Sequence, residues 1–235
     1  MFFCTQGTYN MTIDTNDLLN SILSSFDRMS YIKSDEVPTI DLYMDQVTTF
    51  MDERLKKSTR YQGEEKLMTK TMINNYAKND VIPPPVRKKY NKEHILVLIM
   101  VYYFKSILQI SDIKELMDPI IDKFFDNHDG FAIEDVYDEI FSDMDTDIAR
   151  VRDEIVADYK DAMTKFEDAP EKDQDYLKLY SFVCKLGCDV FVRKLLIEKI
   201  VDSLREQSQA IDAKTGKSKE TDNKYDVNVE KKGKK

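Results

Sequence analysis

Hydrophobic residues recur at spacings of three and four along most of the chain, which is the pattern of amphipathic helices. Thr15 is placed to cap a first helix, and a second apolar stripe follows Asp41 over residues 42–55. Thr69 predicts the start of a short third helix that ends near Asn79. The first third of the chain is therefore expected to be helical.

Helical spacing continues through the second half of the chain. Asn91 and Ser111 are the predicted caps of two further helices, and a last helix is predicted over residues 173–208. Gly187 interrupts this last stripe, and glycine weakens the interior of a helix. No repeat with a period of 20–50 residues is visible.

Three consecutive prolines at residues 83–85 end the third helix, because proline lacks an amide donor and restricts the residue before it. Residues 86–90 are then predicted to be a short extended segment. The hydrophobic pattern as a whole predicts an all-α protein with a short β wing.

Charge is distributed unevenly along the 235 residues. The net charge is −9 at pH 7, yet residues 54–105 hold twelve Lys and Arg against four Asp and Glu, a net +8, which leaves −17 for the rest. Residues 112–175 hold 22 acidic and 7 basic residues. Charges are screened beyond about 8 Å, so a basic face can act independently of the total charge. The negative total therefore does not exclude a nucleic-acid partner.

The third helix combines one apolar stripe with one polar face, which suits duplex DNA. Asn pairs with adenine edges, while Lys and Thr reach phosphates or bases, and basic residues on a following wing would bind phosphate. An ordinary solvated helix and a charged edge strand are the structural alternatives. The predicted DNA-binding residues are Lys70, Thr71, Asn74, Asn75, Lys78, Arg87, Lys88, Lys89 and Tyr90.

The order of these motifs resembles the winged helix-turn-helix of MerR-type regulators. The resemblance is carried by residues 72–76 (MINNY), 81–83 (VIP), 88–90 (KKY) and 111–116 (SDIKEL). More narrowly, residues 35–118 resemble an uncharacterised Firmicutes family, a domain of unknown function with a MerR-like core. That likeness rests on residues 42–47 (LYMDQV), 72–78 (MINNYAK), 83–85 (PPP) and 88–90 (KKY).

The resemblance, which covers residues 35–118, and the pattern of the rest of the chain together predict four segments. Residues 1–34 would hold a frayed start and an N-terminal helix, and residues 35–118 a MerR-like winged helix-turn-helix domain. Residues 119–212 would form an acidic helical domain, and residues 213–235 a disordered Lys-rich tail.

The sequence predicts a transcriptional regulator that binds double-stranded DNA, and a homodimer is expected by analogy, since a two-fold protein suits a palindromic site. The alternative function is a protein-interaction adaptor that keeps the fold without contacting DNA. Autoinhibition by the acidic residues 112–175 is a related alternative. A response to a small molecule through the C-terminal helices is a further one.

Other chemistry is not indicated. Cys184 and Cys188 are expected to be buried small hydrophobic residues, and His94 is expected to face solvent or a phosphate. We expect no catalysis, cofactor, metal, signal peptide or membrane span, and a cytoplasmic protein. A calcium-loop spacing fails because Ile148 stands where glycine is required, although acids occur at Asp143, Asp145, Asp147 and Glu154.

Overall fold

A computed structural model describes residues 15–27, 31–56 and 67–215 of the chain. The described part is mostly helical with one two-stranded antiparallel sheet, so the predicted all-α class with a short β element is confirmed. The expected frayed start and most of the Lys-rich tail lie outside the described residues. The elements are α1 (Thr15–Phe26), a 3₁₀ turn (Ser34–Glu36), β1 (Leu42–Tyr43), α2 (Met44–Leu55), α3 (Lys70–Lys78), β2 (Lys89–Tyr90), α4 (Lys92–Phe104), α5 (Ile110–Phe124), α6 (Ile133–Phe141), α7 (Met144–Met163) and α8 (Glu171–Thr215).

The sheet contains two residues that the apolar spacing assigned to a helix. Leu42 and Tyr43 form β1, which pairs with β2 in the register Leu42 to Tyr90 and Tyr43 to Lys89. Leu42 is buried while Tyr43 is exposed, as alternating positions on a strand must be. The helix prediction was wrong here because the partner strand lies more than forty residues further along the chain.

Helix α4 forms the centre of the first core. All seven residues from 95 to 101 are buried, so this helix is covered on every side. The core continues into α6, where the buried Tyr137 donates a hydrogen bond to the carbonyl of Ile32 at 2.5 Å. The boundary placed after residue 118 falls inside α5, and the buried residues of this core run from Ile32 to Phe141 across that boundary.

A second, smaller core joins α1, α7 and α8. Tyr159 of α7 packs edge to face against Phe182 of α8, with ring centroids 5.4 Å apart, and Leu19 and Ile22 of α1 cover the pair. Helix α8 continues through Gly187 for 45 residues without a break.

The distal part of α8 returns to the first core. Ile197 packs against that core, Val201 is buried, and the Arg205 guanidinium donates to Asp112 of α5 at 2.7 Å. Helix α8 therefore contacts both cores, one near each end.

Two of the three caps predicted for the interior helices are confirmed. Thr69 caps α3, and the side chain of Asn91 accepts the backbone N–H of His94 at the start of α4. The third was wrong, because α5 begins at Ile110 with Gln109 as its cap rather than at Ser111. Pro119 lies inside α5.

Candidate nucleic-acid interface

Helix α3 is short but fixed at its beginning. The Thr69 hydroxyl accepts the backbone N–H of Met72 at 3.1 Å, which satisfies one of the amides that a helix start leaves unpaired. Ile73 and Tyr76 point into the core, and α3 packs on α2. One face of α3 is therefore anchored and the other faces solvent.

The end of α3 is closed by a Schellman motif. Asp80 has a φ of +53°, the Val81 N–H donates to the Tyr76 carbonyl at 2.9 Å, and the Asp80 N–H donates to the Ala77 carbonyl at 3.3 Å. Val81 and Ile82 are then buried before the proline segment begins. Lys114 of α5 also donates to the Asp80 carbonyl, at 3.1 Å. These contacts set the direction of the chain as it leaves the helix.

The exposed face of α3 carries the residues predicted from sequence. Lys70 is exposed but forms an ion pair with Asp45 of α2. Asn75 has its side-chain oxygen 3.2 Å from the Asn79 amide, which also donates to the Asn75 carbonyl at 2.7 Å. The solvent-facing side chains of this face are Lys70, Thr71, Asn74, Asn75 and Lys78.

The predicted wing is a tight two-residue hairpin. Val86 and Lys89 exchange backbone hydrogen bonds at 3.1 and 3.0 Å, and the central residues Arg87 and Lys88 have φ values of +52° and +66°. Positive φ at both central positions is the requirement of a type I′ turn, in which Asn and Gly are the usual residues. Two cationic side chains therefore stand exposed on a strained turn, where a simple extended segment was expected.

The two residues of β2 face opposite ways. Lys89 places its ammonium 5.5 Å from the centroid of the Tyr43 ring, so it stacks on its strand partner at the surface. Tyr90 is 2% exposed and contacts the His94 ring edge to face at 5.6 Å, and burial raises the pKa of its hydroxyl. Tyr90 thus supports the hairpin from inside and does not belong to the exposed surface.

His94 is 2% exposed, so the expectation that it faces solvent or a phosphate was wrong. Its ring packs edge to face on Phe125 at 4.8 Å, and its Nε2 lies 3.4 Å from the Pro84 carbonyl. Burial lowers the pKa of His94, while the Pro84 carbonyl and the carboxylates of Asp41 and Asp126 oppose that shift. A histidine with a lowered pKa therefore lies beneath the proline segment.

The charged residues of this surface are less paired than those of the C-terminal helices. Within the described ranges, Lys78, Arg87 and Lys88 form no ion pair. In α8, by contrast, Lys185 pairs with Asp158 and Asp161, at 2.9 and 3.1 Å. Among the described residues, none of the predicted DNA-binding residues forms an ion pair with the acidic residues 112–175.

The described residues do not form the other kinds of site considered from the sequence. No group of three His, Cys, Asp or Glu able to hold a metal is found among the described residues. Cys184 and Cys188 are exposed, so the expectation that they are buried was wrong. Among the helices that the structure describes, none combines the length and apolarity needed to cross a membrane.

Comparison with known families gives one match. Residues 32–140 match the model of a domain of unknown function, DUF1836, which is just under half of the chain. The match begins at the first residue of the large core and ends one residue before its last. It confirms the expected relation to an uncharacterised domain family. No curated protein and no solved structure matches the chain.

Proposed function

We propose that the DUF1836 domain at residues 32–140 binds double-stranded DNA in a MerR-like manner, and that the protein is a transcriptional regulator. The observation that carries this proposal is the pairing of one anchored helix with a cationic turn. Helix α3 exposes a face of hydrogen-bonding side chains, and the turn after it exposes Arg87 and Lys88, which have no ion-pair partner in the described structure.

The face of α3 has suitable dimensions and chemistry for the major groove. Its nine residues span about 14 Å, and the groove is about 12 Å wide. Asn74 and Asn75 can each pair with adenine through donor and acceptor atoms, and Thr71 and Lys78 extend the same face at helical spacing. Because Ile73 and Tyr76 are buried, the orientation of this face relative to the core is fixed.

The turn suits a role as a phosphate clamp. A left-handed backbone at a residue other than glycine costs about 1–2 kcal/mol, and such strain is common at functional sites. At this turn Arg87 and Lys88 occupy both positions. Both α3 and β2 pack on α2, so the turn and the helix are held by one element.

The adaptor alternative is favoured by a different observation. Ile40, Tyr43 and Val86 are large apolar side chains that stand exposed near the sheet. Exposed apolar residues of this kind suit contact with a protein surface. The DNA test below also decides between these two functions.

The test is titration of the full-length protein into labelled duplexes from a bacterial genomic library at two salt concentrations. We expect tight binding to a subset of fragments. The double variant R87A/K88A should lose about 10-fold or more in affinity for all of them, with a salt slope about 2 smaller. N74A should instead change which fragments bind.

A matched control removes the same charge elsewhere. Lys160 and Lys172 are exposed on α7 and α8, so K160A/K172A alters the net charge equally without touching the proposed surface. If this control weakens binding as much as R87A/K88A, the proposed surface is not the contact. Absence of binding at low salt would favour the adaptor function.

A further inference from the structure

Helix α8 exposes far more apolar surface than any other element described. All ten residues from 187 to 196 are exposed, and five of them are large and apolar. Eleven large apolar side chains of α8 are between 37% and 66% exposed. They are Tyr176, Tyr180, Val183, Val190, Phe191, Val192, Leu195, Leu196, Ile200, Leu204 and Ile211.

The described part of the chain covers α8 only near two points. Phe182 packs on Tyr159 of α7, and Ile197 packs against the first core. Between these points Glu154 of α7 lies 3.6 Å from Arg193, but the apolar side chains of residues 187–196, which lie around the circumference of the helix, stay exposed. A helix that is hydrophobic on all sides is normally buried.

The described part of the chain offers no reason for a glycine at position 187. A Cβ added to this residue would meet nothing within 4 Å, and its backbone does not need the left-handed conformation. Glycine weakens a helix interior, yet α8 passes through this residue unbroken. The residue therefore fits a close approach by something outside the chain.

The residues around Gly187 form a stripe with heptad spacing. Tyr180, Cys184, Gly187 and Phe191 follow one another at steps of four, three and four residues, so they share one face of the helix. The side chains of this stripe are large at both ends and small in the middle. All four of its residues are exposed.

We propose that α8 forms the interface of a homodimer, in which two copies cross antiparallel at Cys184 and Gly187. A two-fold axis midway between these residues places Cys184 against Gly187 of the second copy. The same axis places Tyr180 against Phe191 of the second copy. The stripe is thus complementary to itself, as a two-fold interface requires.

The exposed area matches the needs of such a dimer. At roughly 80–100 Å² each, the eleven side chains present about 1000 Å² of apolar surface. A standard interface buries about 800 Å² per subunit, of which about 65% is apolar in homodimers. About half of the exposed apolar surface of α8 is therefore enough.

Charged side chains near the crossing point do not oppose the approach of the two α8 helices. Lys185 is paired with carboxylates of α7, and Arg193 is paired with Asp189 at 3.0 Å on α8 itself. The inference rests on α8 alone and is independent of DNA binding. Its test contains no DNA, so the two proposals succeed or fail separately.

The test is sedimentation equilibrium of the reduced full-length protein. We expect twice the 27.6 kDa mass of one chain at micromolar concentration. G187L should weaken dimerisation by 10-fold or more because its side chain fills the crossing point, whereas G187A should change it far less. F191D should give a monomer with unchanged helical content, while the control I211D, 24 residues from Gly187 on the same helix, should remain dimeric.

Monomeric wild-type protein at 100 µM would overturn the proposal, and so would a dimer that neither G187L nor F191D weakens. The direction of the pair is tested by mild oxidation in a C4S/C188S background, in which Cys184 is the only thiol. Parallel helices would bring Cys184 next to Cys184 of the second copy, whereas the antiparallel crossing separates them along the axis. Rapid cross-linking that C184S abolishes would therefore overturn the antiparallel arrangement.

Discussion

Helices α4 and α8 are both rich in apolar residues, but the rest of the described chain buries those of α4 and leaves many of those of α8 exposed. In α4 seven consecutive residues are buried by neighbouring elements, whereas in α8 ten consecutive residues are exposed. The hydrophobic pattern alone does not distinguish them. The comparison shows that apolar periodicity indicates a surface that must be covered, while its position in the fold decides whether the same chain covers it.

The largest expected effect is on stability, when the same leucine-to-alanine substitution is made in each of the two helices. Leu98 of α4 is 0% exposed and Leu196 of α8 is 56% exposed. L98A should lower the free energy of unfolding by about 2–5 kcal/mol, because it leaves a cavity in the core. L196A should change it by less than about 0.5 kcal/mol in dilute protein. Urea denaturation at low concentration measures both, and equal losses would mean that α8 is covered within one chain.

A smaller effect is expected from pH, through His94 in the first turn of α4. The pKa of His94 is lowered by burial, so the unfolded chain takes up a proton near pH 6.5 while the folded protein does not. The free energy of unfolding should therefore be highest above about pH 6.5. It should fall toward pH 5.5 by at most about 1.4 kcal/mol per pH unit from this group.

The measurement is urea denaturation at several pH values, with H94Q as the comparison. The variant lacks the titrating imidazole, so its stability should depend less on pH, whatever its absolute value. Parallel curves for the two proteins would show that His94 does not titrate differently on folding.

The smallest effect is expected in the turn at residues 87–88. K88G relieves a positive φ, so it should raise the free energy of unfolding by about 0.5–1 kcal/mol. It also removes one proposed phosphate contact and should weaken DNA binding. Thermal unfolding and duplex titration would measure the two effects. If K88G is more stable than wild type and binds DNA equally well, the Lys88 side chain makes no contribution to the proposed DNA contact.

Local chemistry made part of the fold predictable from sequence. Thr69 and Asn91 were identified as caps because capping depends on a few neighbouring residues. The exposed face of α3 was also identified, since an amphipathic stripe fixes which side faces solvent. Leu42 and Tyr43 were missed because their strand partner is distant in sequence.

Burial was predicted less well, because it depends on elements that pack from elsewhere. His94 is covered by Phe125, at the end of α5, and Tyr90 faces inward because β2 pairs with β1. Cys184 and Cys188 were expected to be buried, yet α7 packs on α8 through Phe182 and leaves both cysteines exposed. DNA contact and dimerisation stay predictions, because each concerns a second molecule.

The pairing of β1 with β2 has a consequence for the order of folding. Leu42 and Tyr90 are 48 residues apart, and α2 and α3 lie between them. During synthesis from the N-terminus, β1 has no partner until residues 89 and 90 emerge, and closing so long a segment costs entropy. The sheet that holds the cationic turn therefore cannot form before Tyr90 has been synthesised, and a chain cut short before Tyr90 would leave the edge of β1 open to other chains.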